Sequence, residues 1–225
     1  MKAASLMGLL TVVGSVAAGW TGTPPTPAAA AAAALAYPGM AITQGDTLCT
    51  MGYVDPATGL GFSAGHCAVS NDVRDDAGDV VGRVIAARNN RAGKPTSGPT
   101  DQVIDYEVIR LNPAVMATDR TAPTFVRPLV SDPTITPQPG MKVCHQGATT
   151  GRSCGQVAEV YDGWFTMTAG SGDLTSDHGD SGGPVYATIP GRPQPVLLGL
   201  FRGSHGDELA AVTWADIADY AANAA

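Results

Sequence analysis

The sequence predicts an all-β chain of two lobes, closed by one C-terminal helix. Short apolar runs recur at intervals of roughly 8–12 residues between Gly- and Pro-rich turns, the rhythm of a β-barrel or sandwich. The proline-rich stretch 112–140 reads as a crossing between two lobes. After Thr213 the spacing becomes helical: Trp214, Ile217 and Tyr220 share one face, with Asp216 and Asp219 on the other.

The first 19 residues form a signal sequence, with Lys2 as its charge, Leu6 to Val13 as its apolar segment and Ser15-Val16-Ala17 as a small-residue cleavage pattern. The apolar run is short for a bilayer span, which needs roughly 20 residues, so cleavage is expected rather than a retained anchor. Residues 20–36 are an Ala/Pro-rich spacer that cannot bury a core. The compact domain is expected over 37–225. Its first lobe contains strands at Thr47–Val54 and Leu60–Ala64, joined by the turn Asp55-Pro56-Ala57-Thr58-Gly59. Asp75-Asp76-Ala77-Gly78-Asp79 is a further turn, Val80–Ala87 a strand and Asn89–Thr100 a polar loop. Val103–Leu111 alternates into a buried strand. Beyond the crossing come strands at Met141–Ala148, Cys154–Tyr161, Trp164–Thr168, Pro184–Ile189 and Val196–Phe201. Thr213 caps a helix from Trp214 to about Asn223.

A net charge of -7 excludes a role built on nucleic acid, since a phosphate backbone needs a basic face, and the 13 Lys and Arg residues form no cluster for an anionic membrane. Cys49 and Cys67, and Cys144 and Cys154, form two local pairs. In a chain marked for export this even count reads as two disulfides. Neither a C-x₂-C spacing nor a nearby histidine pair supports a metal site, and no cofactor is expected.

The chemistry centres on Gly179-Asp180-Ser181-Gly182-Gly183-Pro184. Glycines let such a loop hold a serine hydroxyl outward while main-chain N–H groups face the same point, an arrangement suited to an oxyanion. A serine needs a base, and the base an orienting group. The motif resembles the nucleophile loop of chymotrypsin-like serine proteases. Ser63-Ala64-Gly65-His66-Cys67 is similar to that family's histidine motif, and Ile104-Asp105-Tyr106-Glu107 to the start of its aspartate strand. The order His, Asp, Ser is also the family's. Cys144-His145-Gln146-Gly147-Ala148-Thr149-Thr150-Gly151-Arg152-Ser153-Cys154 is similar to a hairpin of secreted bacterial α-lytic-type proteases. The likeness covers about Asp46 to Ala225.

The resemblance implies two six-stranded β-barrels of the chymotrypsin type with a C-terminal helix docked on the second. It implies a secreted or cell-envelope bacterial serine endopeptidase, acting as a monomer on a polypeptide substrate, without nucleic acid, stable membrane insertion or cofactor. His66 is then the base, Asp105 the orienting carboxylate, Ser181 the nucleophile, and the N–H groups of Gly179 and Ser181 the oxyanion donors. Asp101 and Glu107 compete for the carboxylate's role; Asp101 lies beside a polar loop and Glu107 has no family counterpart. The Cys49–Cys67 bridge closes a ring of roughly 19 residues, worth about 3 kcal/mol in the chain-entropy model.

Two departures from the family matter. His145 replaces an arginine that pairs with the buried aspartate of the serine loop, so contact between His145 and Asp180 is expected. Arg202 stands where the family has a serine supporting the triad. Facing Asp105, it competes with His66; facing a pocket formed by Thr175, Ser176, His178 and Ser204, with His205 nearby, it favours an acidic side chain. If the alignment slips by one or two residues, Arg202 instead snorkels to solvent; of the two inward orientations the second is expected, because a buried Arg–Asp pair undoes the triad. The competing functional classes are a protease-fold binding protein with little turnover and an esterase using the same three groups.

Overall fold

The computed structural model of the chain describes residues 34–91, 98, 100–121 and 127–222. The expected signal sequence and most of the spacer and polar loop lie outside these residues. The first lobe contains β1 (Leu35–Ala36), β2 (Ala41–Gln44), β3 (Thr47–Thr50), β4 (Tyr53–Asp55), β5 (Leu60–Ser63), β6 (Asp72–Arg74), β7 (Val80–Asn89), β8 (Asp105–Leu111) and β9 (Met116–Ala117). The second contains β10 (Lys142–Gly147), β11 (Gly151–Val160), β12 (Trp164–Thr168), β13 (Pro184–Thr188), β14 (Pro195–His205) and β15 (Glu208–Thr213), followed by α1 (Trp214–Ala222).

The second lobe is a closed six-stranded barrel in the order β10-β11-β12-β15-β14-β13. The first is a seven-stranded sheet, β3-β2-β6-β7-β8-β5-β4, rather than the closed six expected. Its two edges are consecutive in the chain. The expected strand Thr47–Val54 breaks at Met51 and Gly52, where Met51 exchanges bonds with Gly39 and Met40 while Gly52 N–H donates to the Phe62 carbonyl. The sheet therefore comes round on itself through one bent strand. At the bend a Cβ on Gly52 would overlap the Gly182 carbonyl of the serine loop.

The domain also starts earlier than expected. Leu35–Ala36 pairs in parallel with Met116–Ala117, and Ala36 is fully buried, so the last residues assigned to the spacer belong to the fold. Within the crossing, Val130 bridges Val196 and Leu129 enters the core between the lobes. Asp72–Arg74 and Glu208–Thr213, not expected as strands, are drawn in by their neighbours.

Helix α1 starts as its sequence dictates: the Thr213 hydroxyl donates to the Asp216 carboxylate at the first turn. It packs against both lobes rather than the second alone. Trp214 meets the rings of Tyr53 and Phe62 at 5.2 and 5.1 Å, Tyr220 stacks on Tyr106, and Trp214 Nε1 donates to Ser131 Oγ. Burial of an aromatic or large aliphatic side chain contributes about 1.5–3 kcal/mol, so Trp214 and Ile217 clamp the two lobes together. No helix among the described residues is long and apolar enough to cross a membrane.

Gly65 is where the fold tolerates least. A methyl there would overlap the Arg88 carbonyl and lie 2.7 Å from the Tyr106 carbonyl, with backbone on every side. Gly65→Ala is expected to lower stability by about 1–3 kcal/mol, while Gly98→Ala, with a 3.7 Å neighbour among the described residues, changes it by under about 0.5 kcal/mol. Urea unfolding of both variants checks this; equal midpoints would show that the turn can move away.

Candidate active site

The close approach of Gly65 sets His66 over the start of β8. His66 lies in a 3₁₀ turn, Gly65–Cys67, stapled by the Cys49–Cys67 disulfide. Asp105 Oδ1 accepts the His66 backbone N–H at 2.8 Å, and Oδ2 lies 2.8 Å from His66 Nδ1. An ionised carboxylate only accepts, so Nδ1 carries the proton and Nε2 keeps its lone pair. Asp105 is 1% exposed and the His66 side chain 32%.

The two competing carboxylates stand elsewhere. Asp101 is 41% exposed and binds Arg91 and the Gly98 N–H. Glu107 is fully buried, with Gln44 Nε2 donating to Oε1 at 2.6 Å and no partner for Oε2. Cys49, His66 and Cys67 cluster closely enough for a metal, but the two sulfurs are joined and offer no thiolate.

The serine loop is held by main-chain bonds. Thr50 N–H donates to the Ser181 carbonyl at 2.7 Å, Gly182 N–H to Phe201, and Gly183 N–H to Asp180. Gly182 has φ +86°, and a Cβ there would lie 2.6 Å from the Thr50 carbonyl, so only glycine fits. Asp180 points inward, as its burial implies. Its Oδ1 accepts the N–H groups of Thr149 and Thr150, and its Oδ2 those of Asp177 N–H and the Thr150 hydroxyl. Among the described residues, no acceptor takes the N–H of Gly179 or Ser181.

His66, Ser181, Gly179 and Arg202 line one open cleft of about 770 Å³. Ser176, His178 and Ser204 line it too, whereas Thr175 does not; its backbone exchanges bonds with the Ser153 hydroxyl. His205 packs on Trp164 instead. Thr47, Leu48 and Phe201 also line the cleft and were not anticipated. Leu48, 44% exposed beside a bridging cysteine, is the signal that could have marked them. A second cavity, about 560 Å³, lies over the Cys144–Cys154 disulfide and is lined by none of His66, Asp105 and Ser181.

Arg202 departs from expectation. It lines the cleft, yet its Nε stands 3.6 Å from Asp105 Oδ2, the oxygen that faces His66. That nitrogen is buried and has no hydrogen-bond partner among the described residues.

The chain matches no family model. It is 41% identical over 183 residues to the uncharacterized protein Rv1815 of Mycobacterium tuberculosis, covering 80% of this chain and 79% of that one. The chain belongs to the Rv1815 family. Among solved structures it resembles alpha-lytic protease homolog N4, with a TM-score of 0.62, 23% identity, and coverage of 84% of this chain and 97% of that one. A glutamic acid specific serine protease described as using a histidine triad in substrate binding gives 0.59 and 20%, covering 83% and 98%. Thermobifida fusca protease A gives 0.58 and 21%, covering 83% and 97%. The fold is that of the chymotrypsin-like bacterial serine proteases.

Against this family background the expected His145–Asp180 contact takes a different form: His145 sits beside Asp180 and feels its charge and backbone, but makes no ion pair with its carboxylate among the described residues. His145 is fully buried beside the serine loop, its ring 4.5 Å from that of Phe201, and neither nitrogen has a hydrogen-bond partner. The Asp180 carboxylate is satisfied by backbone N–H groups and a hydroxyl instead. Burial pushes the imidazole down to about 4, although the nearby charge and backbone of Asp180 pull the other way. Burial pushes Glu107 up to about 8, partly offset by Gln44 and reinforced by Asp105.

These shifts act on stability with opposite signs. The unfolded chain protonates His145 near its ordinary 6.5 and the native chain only near 4, so stability falls as pH drops through that window. Native Glu107 holds its proton up to about 8 while the unfolded chain loses it near 4.5, so stability falls as pH rises between those values. Each slope approaches about 1.4 kcal/mol per pH unit. His145→Gln is expected to flatten the acid side and Glu107→Gln the alkaline side. Urea midpoints from pH 4 to 8 check this, and curves parallel to wild type would remove both assignments.

Proposed function

We propose that this chain is a secreted serine endopeptidase that hydrolyses peptide bonds through His66, Asp105 and Ser181 by way of an acyl-enzyme. The observation that carries the reading is the 2.8 Å contact between Asp105 and His66 Nδ1 in the same cleft as Ser181. His66 Nε2 takes the Ser181 proton as Oγ bonds to the peptide carbonyl carbon, and Asp105 stays ionised to steady the imidazolium. The open N–H groups of Gly179 and Ser181 receive the carbonyl oxygen as it becomes negative, a contribution of about 10²–10³ in rate per donor. The imidazolium then protonates the departing amine, and water, activated by the same base, releases the acyl group and regenerates Ser181.

The two disulfides suit an extracellular or envelope location. A signal sequence over residues 1–19, a monomeric state and independence from cofactors complete the proposal. A binding protein on the same fold predicts no covalent chemistry at Ser181, and an esterase predicts ester hydrolysis without peptide cleavage.

A fluorophosphonate probe is expected to label the secreted protein, and Ser181→Ala to abolish labelling. Asp105→Asn is expected to lower kcat on a peptide substrate by about 10⁴-fold. Peptide turnover that persists in Ser181→Ala would overturn the mechanism.

A further inference from the structure

Arg202 is the extra residue of a bulge. Phe201 pairs with Ala211 and Gly203 with Ala210, so β14 spends one residue that β15 does not answer. Such a bulge re-aims a side chain. Here it carries an arginine, 19% exposed, against Asp105 and into the cleft shared with His66 and Ser181.

The charges around Asp105 do not balance once His66 takes a proton. The groups facing the carboxylate are His66 from the 3₁₀ turn, Glu107 from its own strand and Arg202 from β14. Glu107 keeps its proton up to about 8, so at neutral pH it adds little negative charge. In the resting site, Arg202 and Asp105 cancel. When His66 becomes an imidazolium, two cations share one buried carboxylate, and the guanidinium opposes the charge that the reaction must create there. Asp46 and Asp177 at the rim are exposed and screened by water. His178, also at the rim, adds no negative charge.

We propose that the missing negative charge comes from the substrate: a Glu or Asp side chain before the scissile bond engages Arg202 in the cleft and leaves Asp105 to His66. This rests on the serine-peptidase reading above. The Nε of Arg202 is ion-paired with Asp105 at 3.6 Å but makes no hydrogen bond among the described residues, so the guanidinium keeps donors for a second carboxylate. A planar guanidinium suits a carboxylate in two-point contact. Arg202 is therefore a specificity residue toward substrate and a positioning residue toward Asp105.

The test uses the full chain and matched peptides with Glu, Gln or Leu before the cleaved bond, in wild type, Arg202→Ser and Arg202→Lys. Wild-type kcat/KM is expected to favour Glu over Gln by at least about 10-fold. Arg202→Ser should abolish that ratio and raise kcat on the Leu peptide, because Asp105 is freed; Arg202→Lys should keep part of the ratio. An arginine with only a structural role lowers all three substrates together. In parallel, calorimetric binding to Ser181→Ala should distinguish peptides ending in Glu from those ending in Gln, and lose the distinction with Arg202→Ser added. If Ser181 resists fluorophosphonate while this binding difference persists, the peptidase reading falls and the Arg202 site stands. Equal handling of Glu and Gln in both assays overturns the proposal with the peptidase intact.

Discussion

The serine loop is tied to both lobes at once, and the geometry of the cleft follows from that constraint. The carbonyl of Ser181 accepts a bond from Thr50 in the first sheet, and the next N–H, on Gly182, donates to Phe201 in the second barrel. Thr50 adds its hydroxyl to the Gly179 carbonyl and accepts from Ala148 N–H, so one side chain joins the first sheet, the serine loop and the β10–β11 hairpin. Hydrogen bonds to a charged group contribute about 1.5–3 kcal/mol each, and Asp180 collects four. The nucleophile is therefore fixed by bonds that form only when both lobes are folded and docked.

Buried ionisable groups around this clamp divide by how well they are satisfied. Asp105 and Asp180 each have a hydrogen-bond partner at both carboxylate oxygens. His145 and Glu107 lack that full set, and burial drives each toward its neutral form. Asp180 is held by backbone N–H groups and the Thr150 hydroxyl. The His145 imidazole, driven toward its neutral form, packs against Phe201.

Much of this was legible because it is local in sequence. The Gly-Asp-Ser-Gly-Gly-Pro loop, the His66 turn with its adjacent cysteine, the Thr213 cap and the two disulfides each depend on residues that sit together in the chain. What escaped was set across the fold. Asp72–Arg74 has one apolar residue and becomes a strand only because Gly82 and Arg83 stand opposite it. The break at Met51–Gly52 has no marker besides a glycine, yet it decides whether the first lobe has six strands or seven segments. Leu35 and Ala36 looked like spacer because their composition is that of the spacer; pairing with Met116–Ala117 claims them. Thr175 was expected in the pocket, but the Ser153 hydroxyl holds its backbone outside the cleft.

The orientation of Arg202 belongs to the same class, and it shows how one residue can alter a site without disturbing the fold. After the bulge the ladder resumes its register, with Ser204 opposite Leu209 and His205 opposite Glu208. Gly203, at φ +137° with open space where a Cβ would stand, absorbs the extra residue. The barrel therefore closes as it would without the irregularity, and the consequences fall on the cleft side of the strand. A charge set there is cheap for the barrel and costly for the imidazolium that His66 becomes, because the carboxylate they share is buried and the guanidinium only partly solvated. That asymmetry locates the pressure on residue 202 in the chemistry of the cleft rather than in the packing of the strand that carries it.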